Sequence, residues 1–187
     1  MNLTTHKFKV TGVFPLMTHN PAGMLNQTSG PKTKKIPSAE EEAKAGLYLD
    51  DAGNYCLPSV AFRAALIAGL KGKKVGKVGA ATVFKPAVFN ADELTMILDP
   101  ETREPVKEYV IDARRALIGK AGIVRRRPKF PKWAAIVLFQ IDEEIVSPEQ
   151  VAEHLNVAGT TVGVGDFRIE KGGQFGSFTA ELMVEAE

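Results

Sequence analysis

Apolar and polar residues alternate from Thr5 to Phe14, with Phe8, Val10 and Gly12 on one face and Lys7, Lys9 and Thr11 on the other. That period of two predicts a first strand. From Pro15 to Pro37 the pattern collapses into Pro, Gly, Asn, Thr, Ser and Lys. Too polar to bury, this stretch reads as a long loop of the functional or mobile kind. Ser38, followed by Glu40, Glu41 and Glu42, starts a short helix that ends near Gly46. Leu47 to Leu49 and Tyr55 to Leu57 then flank a Gly-containing turn and predict a small hairpin.

Pro58 to Leu70 carries the clearest helical pattern. Phe62, Leu66, Ile67 and Leu70 give it an apolar face, Pro58 suits a first turn, and the small-residue face of Ala61, Ala64, Ala65 and Ala68 predicts close packing on a sheet. Lys71 to Gly79 reads as a Lys/Gly linker, and Ala80 to Asn90 and Leu94 to Leu98 as short strands, with a turn at Asp99 to Thr102. Val106 to Leu117 and Ile123 to Phe130 are the arms of a basic hairpin. The apolar run Trp133 to Ile141 fits a central strand covered on both faces, with Trp133 in the core. Ser147 caps a helix with Pro148 in its first position, running to about Asn156. A glycine-rich segment, Gly163 to Gly176, and a last strand, Ser177 to Val184, complete the chain. With the insertions set aside, the order is that of an α+β, ferredoxin-like or RNA-recognition-motif-like βαββαβ core. The reading is a single domain over 1–187, with a long insertion at about 15–57 before the first core helix and a second, carrying the protruding basic hairpin, at about 103–131.

Charge changes this picture through its distribution. The formal net charge is only +2, yet Arg103 to Lys132 holds ten Lys or Arg against three acids, and Lys71, Lys73, Lys74 and Lys77 follow one another without an acid. A chain neutral in sum and segregated along its length presents a basic face, which attracts phosphates by releasing their counterions. The single cysteine, Cys56, excludes an internal disulfide and reads as a buried, inert thiol. The N-terminal residues lack a signal-peptide core and no apolar run is long enough to span a bilayer, so the expected compartment is the cytoplasm and no membrane partner is expected.

Candidate chemistry is sparse. His6, His19 and His154 are far apart and lack ligand-spaced partners, and Asp50 and Asp51 fit turn chemistry as well as a metal site. No cofactor, metal or catalytic residue is assigned. The glycine-rich segment matches neither a Walker A loop nor a dinucleotide turn, because a helix precedes it and a strand follows. Its five glycines in 14 residues permit positive φ and close backbone approach, with Phe167, Arg168, Lys171 and Phe175 interleaved.

Gly163, Gly165, Gly172, Gly173 and Gly176, together with Leu57-Pro58-Ser59 and Phe62-Arg63-Ala64-Ala65-Leu66, resemble the RAMP superfamily, the Cas7-like CRISPR proteins. Val60 and Ala61 stand where that pattern has a Gly/Ser-rich turn. The same stretches are similar to short phage and prophage proteins, which would place the chain in a bacterial host cell. The resemblance implies a protein that tracks a nucleic-acid backbone and polymerises along it, its hairpin reaching a neighbour. It also implies a watch on His19, since some RAMP nucleases carry a catalytic His in an early loop.

The residues and the resemblance together predict a non-enzymatic protein that binds single-stranded DNA or RNA and assembles with copies of itself along the strand. The candidate binding residues are Arg63, Lys71, Lys73, Lys74, Arg114, Arg115, Lys120, Arg125, Arg126, Arg127, Lys129, Lys132, Phe167, Arg168, Lys171, Gly172, Gly173 and Phe175. Cations among aromatics suit an unpaired strand, with Phe167 or Phe175 as a stacking platform. The competing expectations are an endoribonuclease using His19 or Asp51, and a virion-type assembly protein.

Overall fold

The computed structural model describes residues 2–25, 37–118 and 121–184. In chain order the strands are β1 (Leu3–Gly12), β2 (Leu16–Met17), β3 (Tyr48–Leu49), β4 (Tyr55–Pro58), β5 (Lys74–Val75), β6 (Val78–Gly79), β7 (Val88–Asn90), β8 (Leu94–Met96), β9 (Val110–Ile118), β10 (Ala121–Phe130), β11 (Ala134–Asp142) and β12 (Phe178–Met183). The helices are α1 (Pro21–Leu25), α2 (Ala39–Ala45), α3 (Val60–Gly69), α4 (Ala80–Phe84) and α5 (Pro148–Thr161). The class is α+β, as the sequence predicts.

Alternation in β1 buries Phe8 and Val10 completely and leaves Lys7 exposed on the other face. β1 pairs antiparallel with β11, Phe8 opposite Val137, and with β12, Val10 opposite Ala180. β7 closes the far edge, so the main sheet runs β12-β1-β11-β7. Phe62, Ala65 and Leu66 of α3 and Val151, Leu155 and Ala158 of α5 pack with Phe8, Val10, Val137 and Phe139 in one core. Each of the larger side chains contributes roughly 1.5–3 kcal/mol by leaving water, the two alanines less. Trp133 is in that core, its Nε1 donating to the Phe14 carbonyl at 2.9 Å. Cys56 is buried too, and burial raises its thiol pKa, which keeps it protonated and unreactive.

Several elements differ from the sequence expectation for local reasons. The stretch after β1 is not uniformly polar loop: Leu16 and Met17 are fully buried, because β2 pairs with β10. Pro58 ends β4 rather than opening α3, since it sits opposite Leu94 in a ladder that gives β4 a second partner. The Lys71 to Gly79 linker folds as the β5–β6 hairpin, where Gly76 at φ +59° makes the tight turn. Ala80 to Phe84 is helix rather than strand, and the buried pair Ala80 and Phe84, four residues apart, is its inward stripe. β11 is central but covered on one face, because Ile136, Leu138 and Gln140 remain half-buried on the other. α5 has its capping box at Ser147 and Gln150 and continues a turn beyond Asn156, since Ala158 lies in the core. Among the described residues no helix is long and apolar enough to cross a membrane.

Candidate nucleic-acid interface

The residues after β1 are the seam that joins the basic hairpin to the glycine-rich segment. On one side β2 sits against β10, Met17 opposite Lys129. On the other, Asp166 N–H donates to the Met17 carbonyl and Gly176 N–H to the Pro15 carbonyl, both at 2.8 Å. The glycines permit this contact. Gly165 (φ +78°) and Gly176 (φ +66°) lie so close to the carbonyls of Met17 and Val164 that a Cβ would collide with them.

Alternation along β9 and β10 sends their charges to both faces, and protein meets both. Arg114 and Arg127 face the glycine-rich segment and lie over the rings of Phe175 and Phe167, at 4.5 Å and 4.9 Å from the centroids. Each also has a carboxylate. Arg114 donates from Nη2 to Asp112 at 3.1 Å and also pairs with it through Nε, while Arg127 pairs with Asp166. Lys129 shares Asp112 at 3.2 Å. The Arg114 hydrogen bonds, followed by the Lys129 bond, hold Asp112 below the usual carboxylate range despite its burial. From α2, the buried carboxylate of Glu42 reaches Arg125 at 3.5 Å and Arg126 at 3.4 Å. These pairs tie the base of the hairpin to the body, while Ile111, Arg115 and Val124 stay exposed.

Beside this junction opens a cleft of about 520 Å³. One wall is the stripe Ala61, Ala64, Ala65 and Ala68 of α3, with Leu57, Pro58, Val162 and Val164 contributing apolar surface. The small-residue face of α3 thus lines a cleft, and the sheet instead receives Phe62 and Leu66. Thr18, His19, Tyr48, Asp166, Arg168 and Lys171 supply the polar groups. Burial, followed by the Arg127 charge, lowers the His19 pKa, so its imidazole is neutral near pH 7. Its Nδ1 is buried without a hydrogen-bond partner among the described residues. Burial, followed by Asp166, raises the Tyr48 pKa, and the phenol donates to the His19 carbonyl at 3.0 Å.

The structure brings together Arg114, Arg127, Phe167 and Phe175 at the junction, with Lys129 tied to Arg114 through Asp112. Arg125 and Arg126 meet at Glu42, and Arg168 and Lys171 line the cleft, Arg168 paired with Glu170 at 2.9 Å. Gly172 (φ +77°) lies in open space, whereas Gly173 packs on the Phe167 carbonyl. Arg115 is exposed and lies over Gly122. The other candidates lie away from the junction or are covered. Arg63 donates to the carbonyls of Val88 (2.6 Å) and Lys85 (2.8 Å) and covers Phe89, so it pins α3 to β7. Phe175 is only 5% exposed, its ring covered by Arg114, so its face is not open for stacking. Lys132 pairs with Glu101 outside the junction, and Lys71, Lys73 and Lys74 belong to the β5–β6 end, where Lys73 approaches His154 at 3.5 Å. Lys120 lies outside the described residues. Sequence reasoning missed Glu42, Tyr48, Asp112 and Asp166. Each stands inside a stretch the sequence singles out, Glu42 among the acids after Ser38, Asp112 in a hairpin arm and Asp166 in the glycine-rich segment, but nothing local marks them as partners of the arginines.

No protein-family model matches this chain, and no curated protein is detectably similar to it. Solved structures do match. A chain of the Type III-B Cmr-beta complex bound to cognate target RNA superposes with a TM-score of 0.60 at 12% identity, over 98% of this chain and 62% of that one. Cmr6 from Pyrococcus furiosus superposes with a TM-score of 0.50 at 10% identity, over 97% of this chain and 100% of that one. This chain therefore spans less than two thirds of its Cmr-beta neighbour. The fold is similar to that of Cas7-like RAMP proteins.

Proposed function

We propose that this protein binds single-stranded nucleic acid, RNA in the first instance, without cleaving it, through the face where the hairpin arms meet the glycine-rich segment. The strand–helix–strand–strand–helix–strand order, in a sheet ordered β12-β1-β11-β7, supports reading the core as ferredoxin-like with the hairpin as its basic insertion. The observation that carries the functional reading is the pair of arginines, Arg114 and Arg127, lying on Phe175 and Phe167. They join cations, half-buried Phe167 and a positive-φ backbone in one surface. Among the described residues, the ion pairs set three carboxylates, Glu42, Asp112 and Asp166, against Arg114, Arg125, Arg126, Arg127 and Lys129, with Arg115 exposed beside them, which supports a surface that keeps positive charge. The neighbour solved with target RNA favours RNA over DNA, and its place in a multi-subunit complex agrees with assembly along the strand.

Fluorescence anisotropy of oligo(U) and oligo(dT) across a salt series tests this. Binding should weaken with salt, log K falling with a slope of about −0.7 for each phosphate neutralised. Salt-independent binding, or none, overturns the proposal.

A second reading rests on His19. A neutral imidazole in a cleft that also holds Asp166 and Arg168 is suited to accept a proton from a ribose hydroxyl. RNA cleavage lost in His19→Ala would establish that reading, and RNA left intact by the parent protein dismisses it.

A further inference from the structure

We infer that copies of this chain meet head to tail, the β5–β6 hairpin of one docking beside the start of α3 in the next. This goes beyond the strand-binding reading, because the contact needs no nucleic acid and uses neither arm of the basic hairpin.

The two surfaces stand at opposite ends of one helix. α3 has ten residues and is therefore about 15 Å long. At its far end the chain passes at once into the β5–β6 hairpin, with Lys73 N–H donating to the Leu70 carbonyl at 3.0 Å. Val75 lies opposite Val78 in that hairpin and both are exposed, so the pair forms an uncovered apolar tip. From Lys71 to Lys85 there are five lysines and no acid. Lys73 approaches His154, which leaves Lys71, Lys74 and Lys77 exposed and close to the valines in the chain. A nucleic-acid strand finds charge here but no stacking platform, since Phe84 is the one aromatic ring among residues 71–85 and it is fully buried. Valines set among lysines suit a protein surface with an apolar centre and an acidic rim.

The chain carries such a surface at the near end of α3. Ser59 N–H donates to the Glu93 carbonyl at 2.8 Å, and Pro58 lies opposite Leu94. This backbone pairing sets Val60 and Leu94, both exposed, at the same edge. Asp92 and Glu93 precede Leu94; both are exposed and, among the described residues, have no ion-pair partner. Apolar side chains with acids at one end of α3 match apolar side chains with lysines at the other. The length of α3 keeps a copy's own two ends apart, so a second copy meets the match. Donor and acceptor surfaces differ, so each contact leaves one of each free and the series continues.

Sedimentation velocity of nuclease-treated protein, from micromolar to near-millimolar concentration, reads this association. The parent is compared with Lys74→Glu plus Lys77→Glu, with Asp92→Lys plus Glu93→Lys, and with an equal mixture of the two double variants. All four side chains are exposed, and circular dichroism and thermal melts check that each variant folds.

The parent should grow past a dimer as concentration rises, and added salt should oppose that growth. Each double variant alone should associate more than about tenfold more weakly, because like charges then face each other. Their mixture should recover the growth, since every contact between unlike variants joins opposite charges. A parent that stays monomeric or stops at a dimer overturns the proposal. So does parent-like association in either double variant, or a mixture that fails to recover it. No nucleic acid enters this assay, so loss of oligo(U) binding bears on the strand-binding reading alone.

Discussion

Replacing Arg127 by alanine tests the junction on which the binding surface depends. The residue is 9% exposed and sits between the Asp166 carboxylate and the Phe167 ring. Breaking a fully buried ion pair costs about 3–5 kcal/mol, mostly through the charge left behind. The Asp166 side chain is 29% exposed, so water stabilises part of that charge, and about 2 kcal/mol remains. Loss of the guanidinium over the ring adds about 1 kcal/mol. For a chain of 187 residues, about 3 kcal/mol lowers the melting temperature by about 6–12 °C. Arg127→Lys keeps the charge and loses the flat stack, which should cost about 1 kcal/mol. Urea denaturation measures both variants, and a cycle with Asp166→Ala isolates the pair, with an expected coupling of about 1–2 kcal/mol. An Arg127→Ala protein within about 0.5 kcal/mol of the parent, the range of an ordinary surface change, refutes the junction as described.

Glu42→Gln removes the carboxylate shared by Arg125 and Arg126; stability should fall by about 1 kcal/mol, since both arginines are about a third exposed, while oligo(U) affinity at low salt rises several-fold as two cations are released to phosphate. Anisotropy reads that gain, and an affinity that drops instead shows that Glu42 organises the surface. His19 titrates from an ordinary value of 6.5 in the unfolded chain to a lower one when folded, so the unfolded state binds more protons in that window. Its contribution is complete above about pH 6.5 and is lost as pH falls toward the folded value; His19→Gln should flatten the drop in urea midpoint between about pH 7.5 and about pH 5.5, and an unchanged drop contradicts the burial of His19. Gly176→Ala should destabilise by more than about 2 kcal/mol, because positive φ and a collision with the Val164 carbonyl combine, whereas Gly172→Ala, facing open space, should cost about 1 kcal/mol; thermal melts that rank the two the other way contradict the seam.

The sequence makes the elements with a strong local pattern legible: the alternation of β1, the capping box at Ser147 and Gln150, the acids after Ser38, and the two arms of the hairpin. Each depends on neighbours in the chain. What it hides is decided by partners far away. Leu16 and Met17 look like part of a polar loop until β10 pairs with them. Arg63 looks like a free cation until the carbonyls of Lys85 and Val88 arrive. The run Arg125 to Arg127 reads as unmatched charge because its carboxylates come from Glu42 and Asp166, far before and after it in the chain. The cleft was legible only in halves. The alanine stripe and the glycine-rich segment each stood out, but nothing local says that they face each other across His19.

Where an unpaired strand touches the protein is the most direct question. Oligo(U) carrying 4-thiouridine, photocrosslinked to the parent protein and mapped by mass spectrometry, answers it. Adducts should fall in residues 110–130 and 163–176, with Phe167 among them. Adducts confined to the β5–β6 hairpin or to the half-buried face of the main sheet contradict the account.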